Sequence, residues 1–223
     1  CTEYKVGDVV VVPCTTPNWR TLEVQDGAFQ HSGGLCQGMR IGTSQDGVMA
    51  EYYIVNDVEM NTAHIPDGVS LENALMVSDM MTTGFHGVEL ADVQFGDTVV
   101  VIGTGPVGLM AVVAAKLRGA GRIIAVGSRA KCRELAIHYG ASNVVNYKDG
   151  DIYAQIMELT GGKRVDRTVI AGGGTEQLPI AYKLTRPGGG IGDLVAADTP
   201  PKIEIDTLDF NRFVAHHKLS GGL

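Results

Sequence analysis

Six consecutive residues carry the strongest chemical signal in the chain: Gly103-Thr104-Gly105-Pro106-Val107-Gly108. They follow the β-branched run Thr98 to Ile102 and open an apolar stretch with helical character. In that setting Gly103 permits a tight turn, Gly105 lets the backbone approach a pyrophosphate, and Gly108 lets helix and strand pack closely. The N–H groups left free at the helix start, and its dipole, favour phosphate oxygens. Alone the G-x-G-x-x-G spacing is a weak signal; with a strand before it and a helix after it, dinucleotide binding is expected.

The end of the next strand decides which dinucleotide. About twenty residues after the glycines an NAD site places Asp or Glu to hold the ribose 2′-hydroxyl. Gly127-Ser128-Arg129 stands there instead. Without a carboxylate a 2′-phosphate is not repelled, Ser128 can donate a hydrogen bond, and Arg129 can add a charge-assisted contact, so NADP is favoured. The plainer alternative stays open from the sequence: Ser128 caps the next helix and Arg129 is a solvated residue of its first turn.

Such a turn needs a parallel sheet to hold it. From about Thr98 strands alternate with helices, the pattern of a doubly wound α/β sheet. Strands are expected at Thr98 to Ile102, Arg122 to Val126, Val144-Val145, Val165 to Ile170 and Ile191 to Val195, the last entered through Pro187 and the Gly188 to Gly190 run. A helix is expected over Val107 to Arg118. Cys132, Leu135, Ala136 and Tyr139 form one helical stripe, and Ile152, Ile156 and Leu159 another. Arg167 and Asp193 break the strand pattern, and pairing between them is weakly favoured.

From Cys1 to about Met81 the texture differs. Strand-like segments such as Val9 to Val12 and Glu51 to Val55 are separated by turn residues, as in an incomplete all-β unit. Between them Thr15 to Gly47 shows little periodicity and holds Trp19, His31 and Gly33-Gly34; a loop of that length is usually functional or a lobe. The chain opens on Cys1 rather than Met and is already strand-like by Val9, so a preceding N-terminal piece is expected.

Composition narrows the partners. With 223 residues, 44% hydrophobic content and a net charge of -7, the chain reads as globular, and neither nucleic acid nor an anionic membrane is a favoured partner. No apolar run approaches the roughly 18 residues that span a bilayer, and no basic-then-apolar signal segment opens the chain, so the cytoplasm is the default compartment. Cys1, Cys14, Cys36 and Cys132 show no CxxC spacing, which argues against a local structural zinc and for free, mostly buried thiols.

Several longer stretches are more specific than the glycine turn. His31 to Gly34 (HSGG), Ser78 to Gly87 (SDMMTTGFHG), GTGPVGLMAV, KLRGAGRIIAVGSR and Val145 to Gly150 (VNYKDG) together resemble the NADP-dependent zinc-type secondary alcohol dehydrogenases of the medium-chain dehydrogenase/reductase superfamily. The resemblance runs from about Tyr4 to the end and marks the chain as an internal fragment. It implies a Rossmann NADP-binding domain over 83–223 and part of a GroES-like β-rich catalytic domain over 1–82, usually in a homotetramer. It also implies hydride transfer between NADP(H) and a secondary alcohol or ketone such as 2-propanol or acetone, at a catalytic zinc that polarises the alcohol oxygen.

By the same resemblance Asp79 matches a zinc ligand, the companion Cys, His and a nearby Glu lying before Cys1; its apolar neighbours Met76-Val77 and Met80-Met81 suit a buried site. Taken alone, Asp79 reads better as a helix cap. Thr83 matches a nicotinamide contact, Thr104 to Val107 the pyrophosphate turn and Tyr147 an adenosine-side contact, though packing or capping would account for each. Cys14 and Leu223 match positions lining the substrate pocket, and Met39 stands where relatives carry a large aromatic. His64, His86 and His216-His217 match no metal role. With ligands missing, the chain alone is expected to bind zinc poorly and turn over little. Two rivals remain: a zinc-free reductase of the quinone-reductase type, and a non-catalytic NADP-binding protein.

Overall fold

A computed structural model describes residues 1–195 and 216–222, so Leu223 lies outside the described residues. The chain divides into two compact units, Cys1–Asp79 and Met80–Leu223.

In the first unit, β1 (Val10–Val11) pairs antiparallel with β2 (Ala63–His64), and the helices are α1 (Leu22–Gln25), a 3-10 turn at Phe29–His31, α2 (Val58–Asn61) and α3 (Leu71–Met76). The strand expected at Glu51 to Val55 does not form: among the described residues it has no ladder partner, and Tyr52 and Ile54 stand exposed. Alternating apolar residues make a strand only where another backbone takes up the N–H and C=O groups. The long stretch from Thr15 to Gly47 is held by a small apolar contact, with Val24 buried and the Trp19 and Phe29 rings 5.5 Å apart, and by polar contacts. Buried Asn61 accepts from Trp19 Nε1 at 2.8 Å and donates from Nδ2 to the carbonyls of Pro17 (3.0 Å) and Asn56 (2.9 Å). Ser32 accepts the Asn18 N–H at 2.8 Å. The thiols depart from expectation: all four are free, but Cys1, Cys14 and Cys36 are exposed and only Cys132, on a helix, is partly covered. The exposed three lie in irregular segments with no apolar layer to sink into.

Ser70 caps α3 by accepting the Asn73 N–H, and a π-helical turn, Val77–Met81, separates α3 from α4 (Thr82–Leu90). The remaining elements are β3 (Thr98–Ile102), α5 (Pro106–Leu117), β4 (Arg122–Val126), α6 (Ala130–Tyr139), β5 (Asn143–Val145), α7 (Ile152–Leu159), β6 (Val165–Ile170), α8 (Gln177–Leu184), β7 (Thr185–Asp193) and β8 (Lys218–Gly221). Among the described residues their sheet has six strands, all parallel, in the order β5-β4-β3-β6-β7-β8. The β-branched runs explain it, because a parallel strand must be apolar on both faces. Val99 and Val101 pack with Ala111, Val112 and Ala115 of α5; Val100 and Ile102 pack with Ile156 of α7 and Leu184 of α8. Alternate residues of one strand thus feed two separate cores.

β7 starts earlier than expected: Thr185 already pairs with Val165, and the ladder resumes at Gly190 opposite Arg167 after an irregular step in which Gly188 has φ of +73°. A methyl added at Gly190 would run into the Ala91 carbonyl, and one at Gly192 into the Gly87 carbonyl, so the bare strand lets the C-terminal half of α4 lie against the sheet. β8, short and polar, is a sixth strand beyond the five expected.

Arg167 and Asp193 do not pair. Arg167 sits opposite Gly190 in the register while Asp193 sits opposite Ile170, three residues further along parallel strands and so about 10 Å away. Arg167, 7% exposed, instead places Nε 2.8 Å from Asp97 Oδ2 and Nη1 3.9 Å from Asp92. Asp166 beside it accepts the Thr98 N–H at 2.8 Å and pairs with Arg186. These charges gather at the N-terminal ends of the strands. Among the described residues no helix is long and apolar enough to cross a membrane.

Candidate functional site

At the opposite, C-terminal ends of the strands lies a cavity of about 790 Å³. It opens beside β3, where β4 lies on one flank and β6 on the other: the switch point at which open α/β sheets bind ligands. Gly103, Thr104 and Gly105 line it, as do Gly127, Ser128, Arg129 and Tyr147.

Each glycine has a distinct steric reason. Gly103 has φ of +108°, and a Cβ there would stand 2.9 Å from the backbone of Ala171 and Gly172, so two loops meet over the strand ends. Gly108 is buried under the turn, where a methyl would be driven into the Gly103 carbonyl oxygen. Gly127 likewise leaves room for the Thr104 hydroxyl. Gly105 differs: a Cβ there would meet only Arg129 Nη2, at 3.7 Å. Its space is open, and it faces the cavity rather than the core.

The same turn supplies donors. Gly105 is the N-cap of α5 and no side chain caps that helix, so the N–H groups of its first turn keep their hydrogens for a ligand. Pro106 at N1 has no N–H to lose and fixes the helical φ. Val107 packs on the inner core. Neither lines the cavity, and neither does Gly108; all three shape the turn from behind.

At the end of β4 the capping half of the alternative left open by the sequence fails, while Arg129 is exposed, as that alternative also expects. Arg129 itself is the N-cap of α6, with no side-chain cap bond, so Ser128 does not cap the helix. Ser128 Oγ donates instead to Tyr147 Oη at 2.8 Å, tying the loop after β4 to the segment after β5. Arg129 is exposed and its guanidinium reaches back over Gly105. A cation, two hydroxyls and uncapped helix starts thus surround a turn on which no carboxylate stands. That donor set fits a diphosphate and an additional phosphate group.

Other lining residues were missed: Ile102 and Val126 at the ends of β3 and β4, Gly150 to Ile152 at the start of α7, Ala171 to Gly173 and Glu176 from the β6–α8 connection, and Gln177 and Ile180 from α8. The Gly172 to Gly174 run directly after an apolar strand was the available signal. Glu176 accepts the Gly174 N–H at 2.9 Å and Gln177 Nε2 at 3.1 Å through Oε1. Its own backbone N–H, then that of Gly174 and the Gln177 amide, hold its carboxyl below the ordinary range.

Asp79 and Thr83 do not line the cavity; both are half-buried and both make polar contacts. Of the apolar residues beside Asp79, Met76, Val77 and Met81 are exposed and Met80 is half-buried. Among the described residues no group of three or more His, Cys, Asp or Glu side chains could hold a metal ion. The described residues do not by themselves make up a zinc site.

Residues 106–218 match the family model described as zinc-binding dehydrogenase. The chain belongs to that family. Over 221 residues it is 52% identical to the NADP-dependent isopropanol dehydrogenase of Thermoanaerobacter brockii, covering 99% of this chain and 63% of that protein. It is 47% identical over 219 residues to the enzyme of the same name from Entamoeba histolytica, covering 98% of this chain and 60% of that protein. Zinc dependent alcohol dehydrogenase 2 from Streptococcus pneumonia, in its apo form, superposes with a TM-score of 0.85 at 26% identity, over 100% of this chain and 62% of that one. A putative zinc-binding dehydrogenase from Sinorhizobium meliloti 1021 bound to NADP does so with 0.81 at 25%, over 99% and 63%. This zinc-binding dehydrogenase chain therefore spans just under two thirds of the length of the relatives it matches.

Proposed function

We propose that this chain is the cofactor-holding part of an NADP-dependent secondary alcohol dehydrogenase, acting in the cytoplasm within a homotetramer. The observation that carries the cofactor half is the end of β4: Arg129 over the Gly105 turn, the Ser128–Tyr147 hydroxyl pair beside it, and no carboxylate where an NAD site places one. The substrate half is supported by relatives named isopropanol dehydrogenases at 52% and 47% identity.

When bound, NADP(H) accepts or supplies the hydride exchanged with the alcohol or ketone. The chain's own residues bind and orient. The turn Thr104 to Val107 and the positive end of the α5 dipole would hold the diphosphate, with Thr104 and Gly105 lining the cavity and Gly105 leaving its backbone open. Arg129 forms a charge-assisted contact with the 2′-phosphate, and Ser128 and Tyr147 add neutral hydrogen bonds. Gly103, Gly108 and Gly127 keep the turn closed on the sheet. Thr83 is assigned to the nicotinamide side, and Asp79 is assigned as one metal ligand. The metal's remaining ligands are not among the described residues, so activation of the alcohol oxygen is not assigned to this chain.

Titration of the chain with NADPH and NADH, followed by calorimetry, tests the cofactor assignment. NADPH binds more tightly, and Arg129→Ala weakens it by about 10- to 100-fold, the worth of one hydrogen bond to a charged group, while NADH affinity stays as it was. Equal affinity for both nucleotides in the parent chain, or an unchanged NADPH affinity in the variant, sinks the assignment. Failure of a protein of the relatives' full length to reduce acetone with NADPH sinks the substrate half alone.

A further inference from the structure

Asp193 ends β7 at a level where the neighbouring strands are apolar. The parallel register sets Val126, Ile102, Ile170 and Asp193 side by side on β4, β3, β6 and β7. Residues paired in this way project to one face of a sheet, here the face covered by α7 and α8, on which Ile102 and Ile170 are buried. Val126 and Ile102 also line the cofactor cavity. Asp193 therefore extends that row past β6, two strand spacings or about 10 Å beyond Ile102.

The carboxyl is half-buried and has no cation of its own. Oδ1 accepts the Val195 N–H at 3.0 Å. Oδ2 takes no hydrogen bond from a described residue, yet it is not sealed from solvent, so it stays open to a ligand. The charged neighbours are engaged elsewhere. Arg167 on β6 and Lys218 on β8 stand three residues back, opposite Gly190, and hold Asp97 and Asp92; His217 binds the carbonyls of Thr185 and Arg186. α8 carries Tyr182 and Lys183, with Glu176 before it on the Gly174 N–H, and on the other face α4 carries His86 and Glu89, 3.7 Å apart. Among the described residues none forms an ion pair with Asp193. Burial holds its carboxyl above the ordinary range, against the pull of the Val195 N–H. An ionisable group kept at such a cost at the ligand-binding end of a sheet is a candidate for function.

The cofactor's own layout says which group it meets. With Ser128 and Arg129 on the β4 side of the turn, a dinucleotide crossing the switch point lays its second nucleotide on the β6–β7 side. That half carries the nicotinamide, whose ring is cationic when oxidised and neutral when reduced. We propose that the Asp193 carboxyl senses this redox state: ionised, it favours the cationic ring of NADP⁺, and beside the neutral ring of NADPH it takes up a proton from solvent. The inference rests on the NADP(H) assignment of the cavity. No bond to the cofactor forms; only a proton passes between the carboxyl and water.

Calorimetric titration of the chain with NADP⁺ and with NADPH, at low salt and several pH values, tests it. The ratio of the two affinities is the readout, because the 2′-phosphate is common to both forms and its own titration cancels. Unit charges about 10 Å apart at an effective dielectric constant of about 20 change that ratio about tenfold. Asp193→Asn therefore lowers the preference for NADP⁺ over NADPH by about tenfold near pH 8. In the parent the ratio falls as pH is lowered and the carboxyl protonates; in the variant it stays level. A ratio unchanged in Asp193→Asn, or in Asp193→Ser should the first variant not fold, overturns the role of the carboxyl and leaves the cofactor assignment standing. So does a pH slope that survives the substitution. If neither form binds the parent chain, the cofactor assignment falls and this inference with it.

Discussion

The glycine turn makes opposite demands at two positions three residues apart, and alanine substitution separates them. At Gly105 the backbone has φ of -73° and ψ of -177°, which any residue adopts, and a methyl would meet only Arg129 Nη2 at 3.7 Å. The expected effect on folding is the sum of two small terms. Alanine is a poorer N-cap than glycine by about 0.5–1 kcal/mol, and it restricts the unfolded chain by about 0.4–1 kcal/mol in the opposite sense. They nearly cancel. The effect on binding is not small, because the methyl occupies the space through which a diphosphate reaches the amides of α5. Losing two backbone hydrogen bonds to a charged group, at about 1.5 kcal/mol or more each, weakens NADPH binding by about 100-fold or more. At Gly108 the methyl is forced against the Gly103 carbonyl, and the turn must open or the helix must shift. Urea denaturation and calorimetric titration of Gly105→Ala and Gly108→Ala, side by side, give the readout. Gly105→Ala keeps the parent midpoint and loses NADPH; Gly108→Ala loses stability. NADPH affinity within a factor of about two of the parent in Gly105→Ala would refute the placement of the diphosphate on this turn.

Two further outcomes concern the sheet. Asp97→Ala leaves the buried Arg167 side chain with only Asp92 at 3.9 Å, and should cost about 3–5 kcal/mol in urea denaturation; replacing both by Leu and Met should recover most of it, and a loss under about 1 kcal/mol would contradict the buried pairing. Burial raises the Asp193 carboxyl above its ordinary value, so its contribution is most favourable below the unfolded pKa and is lost as pH rises through the folded one. Asp193→Asn should therefore raise the urea midpoint near pH 7 and raise it less as the pH is lowered; a pH-independent gain would contradict burial as the cause.

How much of this was legible depended on which force dominates each segment. β3, β4 and β6 fall within the limits read from their β-branched runs, because strands apolar on both faces have few alternatives to the centre of a parallel sheet. The stripe Cys132, Leu135, Ala136, Tyr139 lies within α6 for the same reason: a single apolar face sets the register of a helix. Thr185 was missed because Arg186 to Gly189 do form an irregular step in the ladder, with Gly188 at φ of +73°, while the pairing of Thr185 before it and the approach of α4 to Gly190 are tertiary facts absent from the local sequence. Glu51 to Val55 failed in the other direction, with strand composition but no partner. At the site, the glycine turn and Arg129 were legible because backbone chemistry demands those residue types at that spacing. Gln177 was not, since an amide on a helix start reads as solvated until the fold places it in the cavity wall.

The two ends of the parallel sheet divide the work for a physical reason. Every strand begins at one end, where Asp97, Asp166, Arg167 and Arg186 neutralise one another within salt-bridge distance and leave little charge for a ligand. Every strand finishes at the other end, where α5 and α6 begin without side-chain caps and their first-turn amides face outward. Uncapped starts on two helices are a standing cost to the empty fold, on the order of 1 kcal/mol each by comparison with capped helices. An anion placed across both removes that cost as it binds. NADPH should therefore raise the chain's melting temperature more than the mononucleotide NMN does at equal occupancy, because NMN lacks the diphosphate bridge and the 2′-phosphate. Equal shifts would mean that the helix starts are satisfied by water alone and that the cofactor's grip lies elsewhere.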